Sequence, residues 1–150
     1  MASLKDYKPL RLMAGDADDL QVISAYLQDA VGKIGDFSYL PEQRRFAFVM
    51  NRFLWESAGK RKVGSFARVR AGIHFDDVKS AHYSRLKTDA KDAVIELLSI
   101  RFSAKDDGAG VIDLDFAGGG GIRLDVESVN CFMSDISDPW RTRAKPAHDE

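Results

Sequence analysis

The feature that most constrains this chain is a change of hydrophobic period at Gly32. Before it, Leu20, Ile23, Leu27 and Val31 recur at spacings of three and four, with Ala30 beside them. Such spacing places one apolar stripe along a helix of about four turns. Asp16 is placed to cap that helix, because a short carboxylate accepts the unpaired amides of the first turn. Asp18 and Asp19 then sit at the positive end of the helix dipole, and Gly32 is placed to stop the helix. After Gly32 the period falls to two, the signature of half-buried strands.

Leu10 to Ala14 reads as a short first strand. Phe37 and Tyr39 alternate with Asp36 and Ser38, the 41–44 segment is a turn, and the 45–55 segment carries Phe46, Phe48 and Met50 on one face; together they predict a hairpin. Val69, Ala71, Ile73 and Phe75 alternate with Arg68, Arg70, Gly72 and His74. The strand breaks at Asp76-Asp77, and Val78 to Leu86 forms the next. The 93–104 segment fits both periods and leans to a central strand. Ile112, Leu114 and Phe116 face Ile122, Leu124 and Val126, with Gly118 to Gly121 as the hairpin turn. Val129 to Ile136 is a last strand or a short helix. The predicted fold is α+β: a mostly antiparallel, strongly curved or barrel-like sheet with one N-terminal helix packed on it. Residues 1–137 form the expected single globular domain, and 138–150 a polar C-terminal tail.

Composition agrees with that reading and removes several classes. A length of 150 residues suits one domain. Hydrophobic residues at 45% and charged residues at 30% exclude a disordered chain. The longest apolar run, Phe46 to Met50, is far short of the ~20 residues of a membrane helix. Cys131 is the single cysteine, so no intrachain disulfide forms. No apolar stretch follows the first lysines, and both observations predict a cytoplasmic protein.

The chemistry-bearing residues are few. His74 and His82 could approach each other across a hairpin turning at Asp76-Asp77 and, with an aspartate, hold a metal; without paired-ligand spacing, no metal or cofactor is expected. Cys131 lies among Val129, Phe132 and Met133 and reads as a small core residue. Asp113, Asp115, Asp125 and Glu127 alternate with core residues, so a solvated strand face is the expectation, with acid–base chemistry the competing one. No lysine or helix follows the glycine run in a phosphate-loop pattern, so it reads as a turn.

Charge is distributed unevenly although the net charge is −1. Residues 44–70 hold eight basic groups against Glu56 alone. Arg52, Lys60, Arg61, Lys62 and Arg68 are the candidate ligand-binding residues of a basic face. Phe46, Phe48, Phe53, Trp55 and Phe66 interleave with them, a mixture that suits single-stranded RNA if the rings are exposed and an ordinary core if they are not. The expected function is a non-catalytic binding or assembly module. Its expected partner is a second copy of the chain in a homodimer, an acidic protein or a polyanion, with no membrane and with nucleic acid the weaker option. The alternative is a small enzyme with a site near His74 and His82 or on the acidic last hairpin.

Three stretches carry a resemblance to a known family. They are DLQVISAYLQDAVGKIGDFSYLPEQRRFAFVMNRFLWE, RVRAGIHFDDV and GGGGIRLDVE, followed by Asp138-Pro139-Trp140. In this order they resemble the uncharacterised bacterial domain-of-unknown-function 2948 family over nearly the whole chain. The resemblance implies a stand-alone cytoplasmic protein of alphaproteobacterial type. It implies no activity and carries over no catalytic residue.

Overall fold

A computed structural model describes residues 7–55 and 66–142 of the chain. Helix α1 spans Ala17–Leu27 and begins as the sequence predicts: the Asp16 carboxylate accepts the Asp19 N–H at 2.8 Å. It buries Leu20, Ile23 and Leu27. It also ends one turn earlier than the apolar stripe suggests. Asp29 adopts a left-handed backbone with φ of 65°. A neighbouring strand takes over the backbone there: the Asp29 N–H donates to Leu97 O at 2.8 Å, and the Leu97 N–H donates to Ala30 O at 2.9 Å. Ala30 and Val31 thus remain apolar but serve a sheet instead of the helix.

The described strands are β1 (Arg11–Ala14), β2 (Val31–Lys33), β3 (Phe37–Leu40), β4 (Arg45–Phe53), β5 (Phe66–Phe75) and β6 (Val78–Ser84) in the first half. The second half adds β7 (Val94–Ala104), β8 (Gly110–Phe116), β9 (Gly121–Val126), β10 (Cys131–Asp135) and β11 (Trp140–Thr142). All ladders are antiparallel. The order is β1-β10-β5-β4-β2-β7-β8-β9-β6, with β3 also on β4 and β11 also on β5. Helix α1 with a large antiparallel sheet is therefore the architecture of the described residues, but the sheet is not closed into a barrel. Strands β1 and β6 end the path, and no described ladder joins them.

The two halves of the sheet share one core. Phe46, Phe48 and Met50 from β4 and Ile73 and Phe75 from β5 belong to the same buried cluster as Ile112, Leu114, Ile122 and Leu124 from the β8–β9 hairpin. Phe37 stacks on Phe48 with centroids 4.7 Å apart and meets Phe116 edge-on at 5.9 Å. Each fully buried side chain of this size stabilises by about 1.5–3 kcal/mol. Helix α1 packs against β7, where the Ser24 hydroxyl accepts the Ile100 N–H at 2.9 Å and satisfies a strand amide that would otherwise be orphaned. At the far hairpin Gly118 and Gly119 take φ of 89° and 93°, which explains glycine in that turn.

Two sequence expectations change and one ambiguity resolves. Strands β5 and β6 are not a hairpin: β5 pairs β4, β10 and β11, while β6 pairs β9. Asp77, with φ of 61°, makes a corner that sends the chain from one half of the sheet to the other, and its carboxylate accepts from Ser128 at 2.9 Å and Asn130 at 3.4 Å. The ambiguous 93–104 segment is a strand, as the sequence leaned: β7 covers Val94–Ala104. The polar tail from residue 138 contains β11, whose Trp140 lies opposite Arg68 on β5; residues 143–150 lie outside the described part.

Candidate functional site

Of the five residues of the expected basic face, only Arg52 and Arg68 fall within the described part. Lys60, Arg61 and Lys62 lie outside the described residues. Arg52 does not reach solvent, because it follows Phe46, Phe48 and Met50 at the same parity and points into the core. Its side chain is 0% exposed. Asp135 follows Cys131 and Met133 inward in the same way on β10. The two form a bidentate pair, Nε to Oδ1 and Nη2 to Oδ2, both at 2.9 Å. Tyr7 Oη donates to Asp135 Oδ2 at 2.6 Å, and the Leu10 N–H donates to the same oxygen at 2.9 Å. Burial works to raise the Asp135 pKa, but the hydrogen bonds from Arg52, Tyr7 and Leu10 outweigh it and hold the carboxyl below its ordinary value.

Arg68 lies on the opposite face of the sheet from Arg52. Its guanidinium donates to the backbone oxygens of Asn51 at 3.2 Å and Asp29 at 3.3 Å, and sits over the Phe53 ring. Burial lowers its pKa, against the pull of Asp29 and Glu96. Phe46, Phe48 and Phe53 are core residues. Those three rings are therefore not a surface platform for bases.

The alternative centres also separate. His82 lies across from Arg123 on β9, whereas His74 stacks on Phe132 of β10 with centroids 4.8 Å apart. Among the described residues no group of three or more His, Cys, Asp and Glu side chains is gathered to hold a metal ion. Cys131 is buried, and that burial pushes its thiol pKa well above the ordinary value. The hairpin carboxylates lie on the outer face as predicted, interleaved with cations, although Asp113, between Arg101 and Arg123, is only 13% exposed. Arg101, Asp113, Arg123 and His82 form one cross-strand row. Arg123 donates to Asp113 at 2.8 Å and Arg101 to Asp115 at 2.6 Å. The hydrogen bond from Arg101, against a smaller opposing effect of burial, lowers the Asp115 pKa.

The surface that sequence reasoning missed is the other outer face, on β3, β4, β5, β10 and β1. Register places Met13, Phe132, His74, Ala47 and Ser38 in one cross-strand row. Arg11, Ser134, Gly72 and Val49 form the next. Met13 is 71% exposed, and Ile136, 55% exposed, lies over Gly72. Small and apolar groups thus occupy the middle. The alternation could have revealed it: in β4 and β5 the positions between core residues include Ala47, Val49 and Gly72, where a solvated strand would carry polar side chains.

At one end this face opens into a notch. Strand β2 pairs β4 only at Val31 and Asn51, and β3 takes up the ladder from Phe37 opposite Phe48. Between them the chain turns away as a 3₁₀ turn, Ile34–Asp36, leaving Val49 and Met50 at a cavity of about 500 Å³. Lys33, Arg70 and Lys91 line it, with Asp36, Asp92 and Asn51. Gly35 donates to Lys91 O at 2.9 Å, and a Cβ there would lie 2.9 Å from that oxygen, so only glycine lets the turn hold Lys91 at the rim. Lys33 stands 3.6 Å from Asp92, and Arg70 stands 3.8 Å from Asp36. The Asn51 Oδ1 atom is buried with no hydrogen-bond partner among the described residues.

These features define an antiparallel-sheet protein with helix α1 packed on it, a charged outer face on one half and a small-residue, largely apolar outer face on the other. Among the described residues no helix is long and apolar enough to cross a membrane. The chain belongs to the family described as "Protein of unknown function (DUF2948)", whose model matches residues 10–148. No curated protein and no solved structure matches it.

Proposed function

We propose that the protein is a non-catalytic, cytoplasmic binding module whose contact surface is the outer face of β3, β4, β5, β10 and β1. The observation that carries this reading is the row Met13, Phe132, His74 and Ala47, a largely apolar band in which His74 is the polar member and stands 3.4 Å from Asp76. Arg11, Arg70, Lys33 and Lys91 lie beside or at the end of that band, so an acidic protein segment with apolar side chains is the matching partner. The basic face of the sequence reading is thereby moved from Arg52 and Arg68 to these margins. The enzyme alternative has less support: the hairpin carboxylates are held by arginines and the thiol is buried.

The test is an amide chemical-shift titration of the full chain with an octapeptide of alternating Glu and Leu. Saturable shifts are expected at Ala47, Gly72, His74 and Phe132, lost in Phe132→Glu. Shifts confined to the Arg101–Asp113 face, or none, overturn the reading. Sedimentation over a range of concentrations separates the remaining partner: dimers abolished by Phe132→Glu replace the acidic segment with a second copy.

A further inference from the structure

We infer that the notch beside β2 binds a small phosphomonoester that also carries a hydrogen-bond donor. This deepens the binding reading above and rests on it for the choice of side, but not for its chemistry.

A sheet ladder that is interrupted leaves space and unmatched polar groups together. Here β4 loses its neighbour between the Val31 pair and the Phe37 pair. The resulting cavity, about 500 Å³, falls in the range of small-molecule sites, about 300–1,000 Å³. Its polar lining is three cations against two carboxylates. The two ion pairs are longer than hydrogen bonds and partly exposed, so each contributes little and yields readily to a better anion. The Lys91 ammonium makes no ion pair among the described residues. Lys33, Arg70 and Lys91 come from β2, β5 and the segment before β7, so they reach the notch from three separate parts of the chain. A tetrahedral phosphate presents acceptors in several directions and suits such a set better than a flat carboxylate.

The donor requirement comes from Asn51. Buried polar atoms in folded proteins are nearly always paired, and one left over asks for a partner. The Asn51 Oδ1 atom has none among the described residues, and Asn51 is one of the residues that line this cavity. The oxygen accepts; an N–H or O–H on the ligand supplies what is missing. The backbone turn is built for the site too, since Gly35 is the residue that allows Lys91 to approach.

The experiment is a chemical-shift titration of the full chain with O-phosphoethanolamine, ethyl phosphate and inorganic phosphate. O-phosphoethanolamine is expected to shift Lys33, Asn51, Arg70 and Lys91 saturably and to bind about tenfold more tightly than ethyl phosphate, which has no donor. Lys91→Glu, a change at an exposed side chain, is expected to abolish binding of both esters. Asn51→Leu is expected to remove the difference between them while ethyl phosphate still binds. Should Asn51→Leu fail to fold, the ratio of the two esters on the native chain decides the donor claim. Equal binding of the two esters, binding unchanged by Lys91→Glu, or no saturable shift at these residues with any probe overturns the inference. Phe132→Glu separates it from the broader reading: probe binding that persists while Glu-Leu peptide binding is lost places both sites, and peptide binding without probe shifts removes the notch alone.

Discussion

Two arginine–carboxylate arrangements in this molecule have nearly the same geometry and opposite surroundings. Arg52 and Asp135 meet at 2.9 Å with both side chains 0% exposed. Arg101 and Asp115 meet at 2.6 Å, and Arg123 and Asp113 at 2.8 Å, on a solvated strand face. Shorter distance does not mean larger effect. On the surface, water and salt screen the charges and long side chains lose freedom on pairing, so each such pair contributes about 0–1 kcal/mol. Inside, neither charge has water to return to. Removing one partner leaves the other buried, and that costs about 3–5 kcal/mol. The buried pair is thus an obligation of the fold, while the surface row keeps that sheet face soluble and its carboxylates occupied.

The sharpest way to break this contrast is Arg52→Met. It is expected to lower the unfolding free energy by about 3–5 kcal/mol in urea titration. A loss below ~1 kcal/mol would place the buried pair in the same class as the surface ones. Replacing the whole network with Arg52→Met, Asp135→Leu and Tyr7→Phe is expected to recover most of the loss, because neither charge of the pair is then left buried without the other. Acid gives the next largest effect. The Asp135 pKa is lowered by folding, so its contribution is present above the unfolded carboxyl value of about 4 and lost as pH falls through the folded value. Native stability is therefore expected to fall more steeply below about pH 4 than that of Asp135→Asn. The smallest effect belongs to the surface row. Asp115→Asn is expected to cost less than ~1 kcal/mol, and about 1 M NaCl should erase the difference; the Arg52→Met deficit should survive the same salt.

How much of this was legible in the sequence follows from where period two is kept. Strands β8 and β9 alternate without interruption, so the faces are the predicted ones, but the register differs: Ile112 lies opposite Leu124 and Leu114 opposite Ile122, because Gly121 has already joined β9. Strand β7 was ambiguous for a physical reason. A register shift between Leu97 and Ser99 lets Leu97 and Ile100, three apart, both face the core, which imitates a helical spacing. The helix end was hidden because Ala30 and Val31 remain apolar after the backbone has joined the sheet. Arg52 was readable and was misassigned: counting by twos from Phe46 puts it inside. What the sequence lacked was its partner, since nothing local links β4 to Asp135. The notch was not legible either, because it arises from a missing ladder segment and not from any residue pattern.

The pairing of β1 with β10 sets a condition on how the chain folds. Ala14 lies opposite Cys131 and Arg11 opposite Ser134, so the first strand is completed by nearly the last. During synthesis at ~5–20 residues per second, β1 must wait for most of the chain to leave the ribosome. Such high contact order favours folding in milliseconds to seconds, not microseconds. Until Asp135 emerges, Arg52 is an inward-facing charge without its carboxylate, and the β4–β5 sheet carries it unmatched. A chain stopped before residue 131 thus lacks both the strand that covers β1 and the charge that neutralises the core. Nascent-chain protease protection should rise late and abruptly, once the final strands are free to dock.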